Sequence, residues 1–289
     1  MHPLIEIAIQ PRRAQDRAGL DDAIQALVAS NRLLAVHADP ESGLTILSGD
    51  SEEQLDRVVE ALGLTYDFNV GAPQVAYRET FTQPARIDHT FARQIGGGGL
   101  FAKVVLLFQP SQPGAGFSFE YATDAIPAPL AAGVLKGVDA ERRRGLLAGF
   151  PVIDFKAILV DGGWHDLDSN EQTFETAARA AFRELRTKGA PILLEPIMWV
   201  EVLVPNDYLN DVIGDLKSRH GQIQGAVRRE DSQFVTAMIP LSQMFGYPSQ
   251  IQQITNGSGR HEMRFDHYGR APTFESPDDP LPTAVGLRA

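Results

Sequence analysis

The sequence predicts an α+β protein in which one order of elements, βαββαβ, occurs near both ends of the chain around a middle segment of different character. Short segments with alternating apolar residues, such as LIEIAIQP at residues 4–11, suit half-buried strands. Other segments place apolar residues at the 3.6-residue spacing of an amphipathic helix. From residue 72 to residue 194 the predicted strands are longer, and glycine and proline are frequent. These three observations predict the fold class.

The N-terminal part of the chain contains the first copy of the order. The strand at residues 4–11 is followed by a helix at 19–30, whose apolar residues share one face, and by a hairpin at 33–49. A second helix at 52–62 and a strand at 64–70 complete it. This order is typical of a ferredoxin-like unit, which is a four-stranded antiparallel sheet with both helices on one face.

The C-terminal part repeats the order. IMWVEVLVP at 197–205 predicts a strand, and NDYLNDVIGDLKSRHG at 206–221 predicts a helix. Two strands follow at 222–229 and 232–240, then a helix over 241–255 that must bend at Pro248, and a last strand at 260–268. The sequence therefore predicts two ferredoxin-like units that flank a different middle domain.

The middle segment contains the most distinctive local patterns. QIGGGGLFAKVVLLFQ, residues 94–109, predicts two strands that meet at a glycine tip. VIDFKAILVD, residues 152–161, predicts a strand, and the apolar spacing from Phe174 to Leu185 predicts a helix. Ser169 is expected to cap this helix, with Gln172 completing a capping box. His165 then lies on a strand-to-helix loop, where an ordinary exposed histidine and a functional contact are both open.

Two short motifs have a chemical interpretation and a structural one. Gly96 to Gly99 could form a backbone nest for phosphate, although a flexible hairpin tip is the commoner explanation. WHDLD at 164–168 offers one imidazole and two carboxylates that could bind a metal, but a loop followed by a helix N-terminus explains the carboxylates equally well. We therefore expect no metal site.

Composition and missing motifs exclude several classes of function. The 289 residues are 43% hydrophobic and 22% charged, as in an ordinary globular protein, and include no cysteine for disulfides or thiolate metal sites. The net charge of -11 argues against indiscriminate binding of nucleic acid, but it leaves room for a local tip that binds one RNA. With no membrane-length apolar run and no secretory signal pattern, we expect a cytoplasmic protein without a membrane partner. No G-x-x-x-x-G-K-[ST] motif occurs, so we expect no nucleotide-binding P-loop and no enzyme activity within this chain.

Five stretches are specific in wording and in order along the chain: NVGAPQVAYRETF (69–81), GFPVIDFKAILVDGGWHDLDSNEQTFETAARAAFRE (149–184), LLEPIMWVEVLVPNDYLNDVIGDLKSRHGQIQG (193–225), PLSQMFGY (240–247) and FDHY (265–268). Taken together, they resemble the C-terminal half of translation elongation factor G. The resemblance implies a ferredoxin-like domain III at 1–71, a ribosomal-protein-S5-domain-2-like domain IV at 72–194 and a ferredoxin-like domain V at 195–271. It also implies that the tail at 272–289 packs on domain IV.

The resemblance also implies a function. Domain IV of this family enters the decoding centre of the small ribosomal subunit and holds the tRNA–mRNA pair during translocation. The chain is then a monomer that binds the ribosome, without a DNA partner, while GTP and Mg²⁺ would be bound by a missing N-terminal domain. The residues expected at the ribosome and RNA contact are Gln94, Gly96, Gly97, Gly98, Gly99, Trp164, His165 and Asp166.

Some positions depart from the family pattern. Gly98 and Leu100 stand where the family usually has an arginine and a glutamine, so the tip lacks a cation for phosphate and a hydrogen-bonding amide. At the start of the second helix only Glu52 remains of a usual Met-Gly-Glu-Leu-His. These departures suggest a divergent paralogue, for which translocation, ribosome recycling and ribosome protection are all open. A stand-alone RNA-binding or adaptor protein is the alternative from another class.

Overall fold

In the computed structural model, which describes residues 3–38, 43–95, 98–229 and 231–271, the βαββαβ order is present at both ends of the chain. The first copy forms a sheet in the order β2-β3-β1-β4, and the short β5 also pairs with β1. All of its described pairings are antiparallel. Its elements are β1 (Ile5–Pro11), α1 (Arg17–Ser30), β2 (Ala35–Ala38), β3 (Thr45–Gly49), α2 (Glu52–Gly63), β4 (Phe68–Val70) and β5 (Gln74–Val75).

The middle of the chain forms a second sheet, in the order β7-β8-β10-β9. β9 is parallel to β10, and the other pairs are antiparallel. The elements in this part of the chain are β6 (Arg78–Phe81), β7 (Ala85–Ile95), β8 (Gly98–Pro110), β9 (Phe117–Tyr121), α3 (Ala128–Arg142), β10 (Phe155–Gly163), α4 (Glu171–Arg183) and α5 (Leu185–Lys188). Of these strands, β6 belongs to a different sheet. The core of this region is rich in phenylalanine: Phe108 and Phe182 meet edge to face at 5.7 Å between ring centroids.

α3 and α4 pack so closely that two glycines of α3 are required. A Cβ atom at Gly133 or Gly137 would collide with the backbone carbonyl oxygens of Glu171 and Glu175 on α4. Because these two positions carry no side chain, an ion pair between Arg183 and the buried carboxylate of Glu141 can form across the two helices. This packing fixes α4, the helix that follows the loop of His165.

The last sheet repeats the topology of the first, in the order β12-β13-β11-β14, so the α+β class with two ferredoxin-like units is confirmed. Its elements are β11 (Pro191–Pro205), α6 (Leu209–Ser218), β12 (Gln222–Arg229), β13 (Ser232–Pro240), α7 (Tyr247–Ile254) and β14 (Arg260–Arg270). The helix expected to bend at Pro248 was predicted wrongly. A 3-10 turn at Leu241–Gln243 precedes α7, and Pro248 lies in the first turn of α7, where its missing N–H costs no hydrogen bond.

The chain divides into two units, one formed by Met1–Ala76 with Glu195–Gly269 and the other mainly by Tyr77–Leu194. β11 is continuous across residue 194, and its first four residues pair with β6. The three-domain division with boundaries near 72 and 195 stays a prediction, and the tail at 272–289 lies outside the described residues. Among the helices in the described part of the chain, none has the length and apolar character needed to span a membrane.

A buried carboxylate on β6 organises the connection between α3 and β10. Glu79 is fully buried, and its Oε2 accepts the N–H of Leu146 and of Leu147, the latter at 2.8 Å. Its Oε1 accepts the N–H of Ala148 (2.8 Å) and of Phe150 (3.1 Å). The backbone of Glu79 adds two bonds to the same connection, through Pro151 O and Ile153 N–H. Four charge-assisted hydrogen bonds compensate the loss of hydration that a buried carboxylate suffers.

We expect Glu79→Gln to destabilise the Tyr77–Leu194 unit by about 3 kcal/mol or more, because a carboxamide has one acceptor oxygen and its NH₂ group would face buried N–H donors. Glu120→Gln is the control: Glu120 is exposed and pairs with Lys156, so its loss should cost less than about 1 kcal/mol. The chain has two tryptophans, and a Trp199→Phe background leaves Trp164 as the fluorescent reporter of this unit during urea unfolding. Equal midpoints for the two glutamine variants would contradict the role given to Glu79.

Candidate nucleic-acid interface

The predicted glycine hairpin is formed by β7 and β8, which pair without interruption from Ala85↔Phe108 to Ile95↔Gly98. Gln94 lies opposite Gly99 in this register. Gly96 and Gly97, the two other tip glycines of the predicted site, lie outside the described residues. Whether the four glycines form a phosphate nest therefore stays a prediction.

The loop between β10 and α4, residues 164–170, lies against the end of β8. β10 pairs with β8 only as far as Gly163↔Lys103, so the backbone of β8 beyond Lys103 needs other partners along this edge. The loop supplies them: Phe101 N–H donates to Asp168 O (2.8 Å), and Ser169 Oγ donates to Phe101 O (2.7 Å). Gly99 N–H donates to Asp168 Oδ1 (3.2 Å). The two predicted tip loops are thus joined side by side.

The cap of α4 was predicted one residue too early. Asn170, not Ser169, is the N-cap: its Oδ1 accepts the N–H of Thr173 (2.9 Å), and Thr173 Oγ1 accepts the N–H of Asn170 (3.0 Å). Ser169 and Gln172 therefore do not form the expected capping box. The Ser169 hydroxyl is occupied elsewhere, since it donates to Phe101 O and accepts the N–H of His165 (2.9 Å). Its loss would release the loop rather than uncap the helix.

The backbone of His165 is held by hydrogen bonds, whereas its side chain is exposed. Ser169 N–H donates to His165 O (3.0 Å), which together with the Ser169 hydroxyl fixes the residue against the start of α4. The side chain is 58% exposed, and its Nδ1 lies 3.3 Å from Oδ2 of Asp168. Leu167 N–H donates to the same Nδ1 (3.4 Å). A fixed backbone with an exposed imidazole is the arrangement expected of a contact residue.

The neighbours of His165 are exposed as well. Trp164 is 43% exposed, Leu167 is 88% exposed, and Asp166 is exposed. The sequence analysis did not single out Leu167, nor Arg93, an exposed cation on β7 opposite Leu100 for which the described residues offer no ion pair. Arg93 lies near the tip that lacks the family's arginine at Gly98. In the sequence, Arg93 could have been identified by its position next to Gln94 at the end of a strand with alternating apolar residues.

The structure thus brings Gly99 and His165 together through Asp168, with Gly98 next to Gly99 and with Trp164 and Asp166 on either side of His165. We call the described residues Gln94, Gly98, Gly99 and 164–168 the fingertip. Their assignment as a ribosome contact stays a prediction. In the part of the chain that the structure describes, no group of three or more potential ligands of the histidine, cysteine, aspartate or glutamate type could hold a metal ion.

The two described tip glycines should respond differently to a methyl group. A Cβ at Gly99 would lie 2.9 Å from Cγ and Oδ2 of Asp168, whereas a Cβ at Gly98 would meet nothing within 4 Å. We expect Gly99→Ala to displace the Asp168 carboxylate and shift the imidazole resonances of His165 in NMR spectra, while Gly98→Ala leaves them in place. Identical His165 spectra in the two variants would contradict the close contact.

Comparisons with known proteins agree with this architecture. Three family models match the chain in consecutive order: Elongation Factor G, domain III, at residues 2–73; Elongation factor G, domain IV, at 73–190; and Elongation factor G C-terminus at 192–276. The crystal structure of ttk003000868 from Thermus thermophilus is similar at a TM-score of 0.73 and 31% sequence identity. That match covers 94% of this chain and 41% of the Thermus chain, so this chain spans less than half the length of that relative. With these three domains in this order, the chain belongs to the elongation factor G family.

Proposed function

We propose that this chain is the ribosome-binding region of an elongation factor G-like GTPase that acts in tRNA–mRNA translocation or a related ribosomal step. The three matched domains support a role in translation. The observation that carries the finer proposal is the exposed imidazole of His165 on a loop whose backbone is fixed on both sides. The proposal includes a monomeric, cytoplasmic protein without a membrane or DNA partner.

In this proposal the fingertip contacts RNA at the decoding centre of the small subunit. An imidazole can hydrogen-bond to RNA and stack on a base, and the indole of Trp164 offers a second stacking surface. Arg93 offers a cation for phosphate near the tip. An exposed imidazole and indole with Arg93 nearby favour a specific RNA contact over general nucleic-acid binding, because the net charge of -11 disfavours binding of RNA over the whole surface.

GTP and Mg²⁺ have no place in this chain under the proposal. The sequence has no G-x-x-x-x-G-K-[ST], whose backbone and lysine would hold the phosphates. We propose that an N-terminal domain of a longer protein binds both. A reading frame that extends upstream and encodes this motif would support the GTPase assignment, and an upstream stop codon directly before Met1 would favour the stand-alone RNA-binding protein instead.

We expect His165→Ala to weaken binding of the chain to ribosomes that carry mRNA and tRNA by about tenfold, the value of one or two hydrogen bonds to a charged or polar partner. The free energy of unfolding should change by less than about 0.5 kcal/mol, because the His165 side chain is exposed and caps no helix. Co-sedimentation with ribosomes measures the first quantity and circular dichroism the second.

The matched control for this substitution is Gln112→Ala, an exposed residue in the β8–β9 connection at the opposite end of β8 from Gly98. It should bind like the unchanged chain. If His165→Ala also binds like the unchanged chain, His165 has no contact role and is an ordinary exposed histidine.

A cation restored at the tip should strengthen the contact. A Cβ at Gly98 would have no atom within 4 Å, and the backbone there has no positive φ, so Gly98→Arg is expected to fold normally. We expect tighter ribosome binding and a slope of log K against log salt that steepens by about 0.7 per added phosphate contact. Gly98→Gln is the control of similar length without charge. An unchanged salt slope in Gly98→Arg would show that the tip does not approach an RNA phosphate.

A further inference from the structure

Asp168 makes contact with both loops of the fingertip. Its Oδ1 accepts the N–H of Gly99 at 3.2 Å, and its Oδ2 lies 3.3 Å from Nδ1 of His165. The Asp168 side chain is 33% exposed, against 58% for His165, so Asp168 is the more buried member of the pair. The backbone carbonyl of Asp168 also accepts the N–H of Phe101 on β8. One residue therefore ties the glycine hairpin to the imidazole.

The contacts of Nδ1 decide which ring nitrogen is available to a partner. In the neutral ring the proton can reside on either nitrogen, because an unprotonated Nδ1 accepts the N–H of Leu167 (3.4 Å) and a protonated Nδ1 donates to the Asp168 carboxylate (3.3 Å). In the charged ring both nitrogens carry protons, and Nδ1–H faces the Asp168 carboxylate. The charged ring is therefore the state in which Asp168 holds Nδ1 and Nε2–H is available to a partner. Among the described residues no group hydrogen-bonds to Nε2, so it is the free end of the ring.

A donor at Nε2 requires an acceptor on the RNA. Phosphate oxygens are acceptors only, they occur on every nucleotide, and their contacts carry no sequence information. A factor that acts on every tRNA–mRNA pair needs a contact of this kind, because a contact to base edges would depend on the codon. The ribose 2′-hydroxyl is also present on every nucleotide, but the phosphate oxygen is charged and makes the stronger hydrogen bond to a charged imidazole.

We propose that Asp168 is a positioning residue that joins the two fingertip loops and holds His165 so that its Nε2–H donates to an RNA phosphate oxygen. This inference rests on the proposed ribosome contact of the fingertip. Asp168 itself does not touch the RNA. Because Asp168 approaches Gly99 so closely, a side chain at position 99 would displace the Asp168 carboxylate, whereas one at position 98 would not.

The first test is independent of the ribosome. NMR spectra of the ¹⁵N-histidine-labelled chain, recorded from pH 5 to pH 9 and assigned with His165→Ala, report the protons on the two ring nitrogens. We expect a defined Nδ1–H signal in the charged ring of the unchanged chain and a disordered, averaged ring in Asp168→Ala, with Asp166→Ala as the control from the same loop. An unaltered His165 signal in Asp168→Ala would overturn the proposal.

The second test uses binding to ribosomes that carry mRNA and tRNA. Asp168→Ala should weaken binding about tenfold, as His165→Ala does, and the double variant should lose no more than either single one, because Asp168 acts through His165. Asp168→Asn retains an oxygen for the Gly99 N–H and should restore most of the affinity. His165→Gln, whose amide reaches the place of Nε2, should bind better than His165→Asn, whose amide reaches only that of Nδ1.

The outcomes separate this inference from the proposed function. Normal binding by His165→Ala would remove the contact itself and the inference with it. Weak binding by His165→Ala together with additive losses in the double variant, or with equal losses in His165→Gln and His165→Asn, would leave the contact intact and overturn only the role given to Asp168 and Nε2. Melting temperatures of all variants show whether any loss arises from unfolding.

Discussion

The middle domain depends on the carboxylate of Glu79. It is fully buried, and it accepts hydrogen bonds from four backbone N–H groups between Leu146 and Phe150. A buried charge is tolerated only where its lost hydration is replaced, and this connection replaces it completely with backbone donors. The connection joins α3 to β10, whose pairing with β8 and β9 then carries the chain to the loop of His165.

The fingertip, unlike the Glu79 carboxylate, is exposed and combines a rigid base with a short outer loop. Its base is rigid, since α3 and α4 approach through Gly133 and Gly137 and β8 pairs with β10 up to Gly163. Its outer part is short and exposed, and it is held by hydrogen bonds of Asp168 and Ser169 to the free edge of β8. Such a division is common at binding sites, where an exposed loop carries the contact and regular elements supply the precision.

Two local predictions were wrong, and for different reasons. Ser169 and Asn170 are both good N-cap residues, and the choice fell to Asn170 because the Ser169 hydroxyl bonds to Phe101, 68 residues away. Pro248 was expected to bend a long helix, but α7 starts at Tyr247, because a short 3-10 turn precedes it. At the cap of α4, a contact remote in sequence chose between two good capping residues, whereas the start of α7 follows from Gly246, whose left-handed backbone (φ 70°) lies directly before the helix.

The sequence by itself determined the order of strands and helices, the two βαββαβ units and the place of His165 on a strand-to-helix loop, because each follows from a periodicity that neighbouring residues express. Only the tertiary structure decided that Asp168 reaches Gly99, 69 residues earlier, and that Glu79 gathers a connection 67 to 71 residues later. A hydrogen bond between such distant residues leaves no periodic trace along the chain. It exists because the fold brings a carboxylate oxygen within about 3 Å of a backbone N–H, where a buried or half-buried polar group must find a partner.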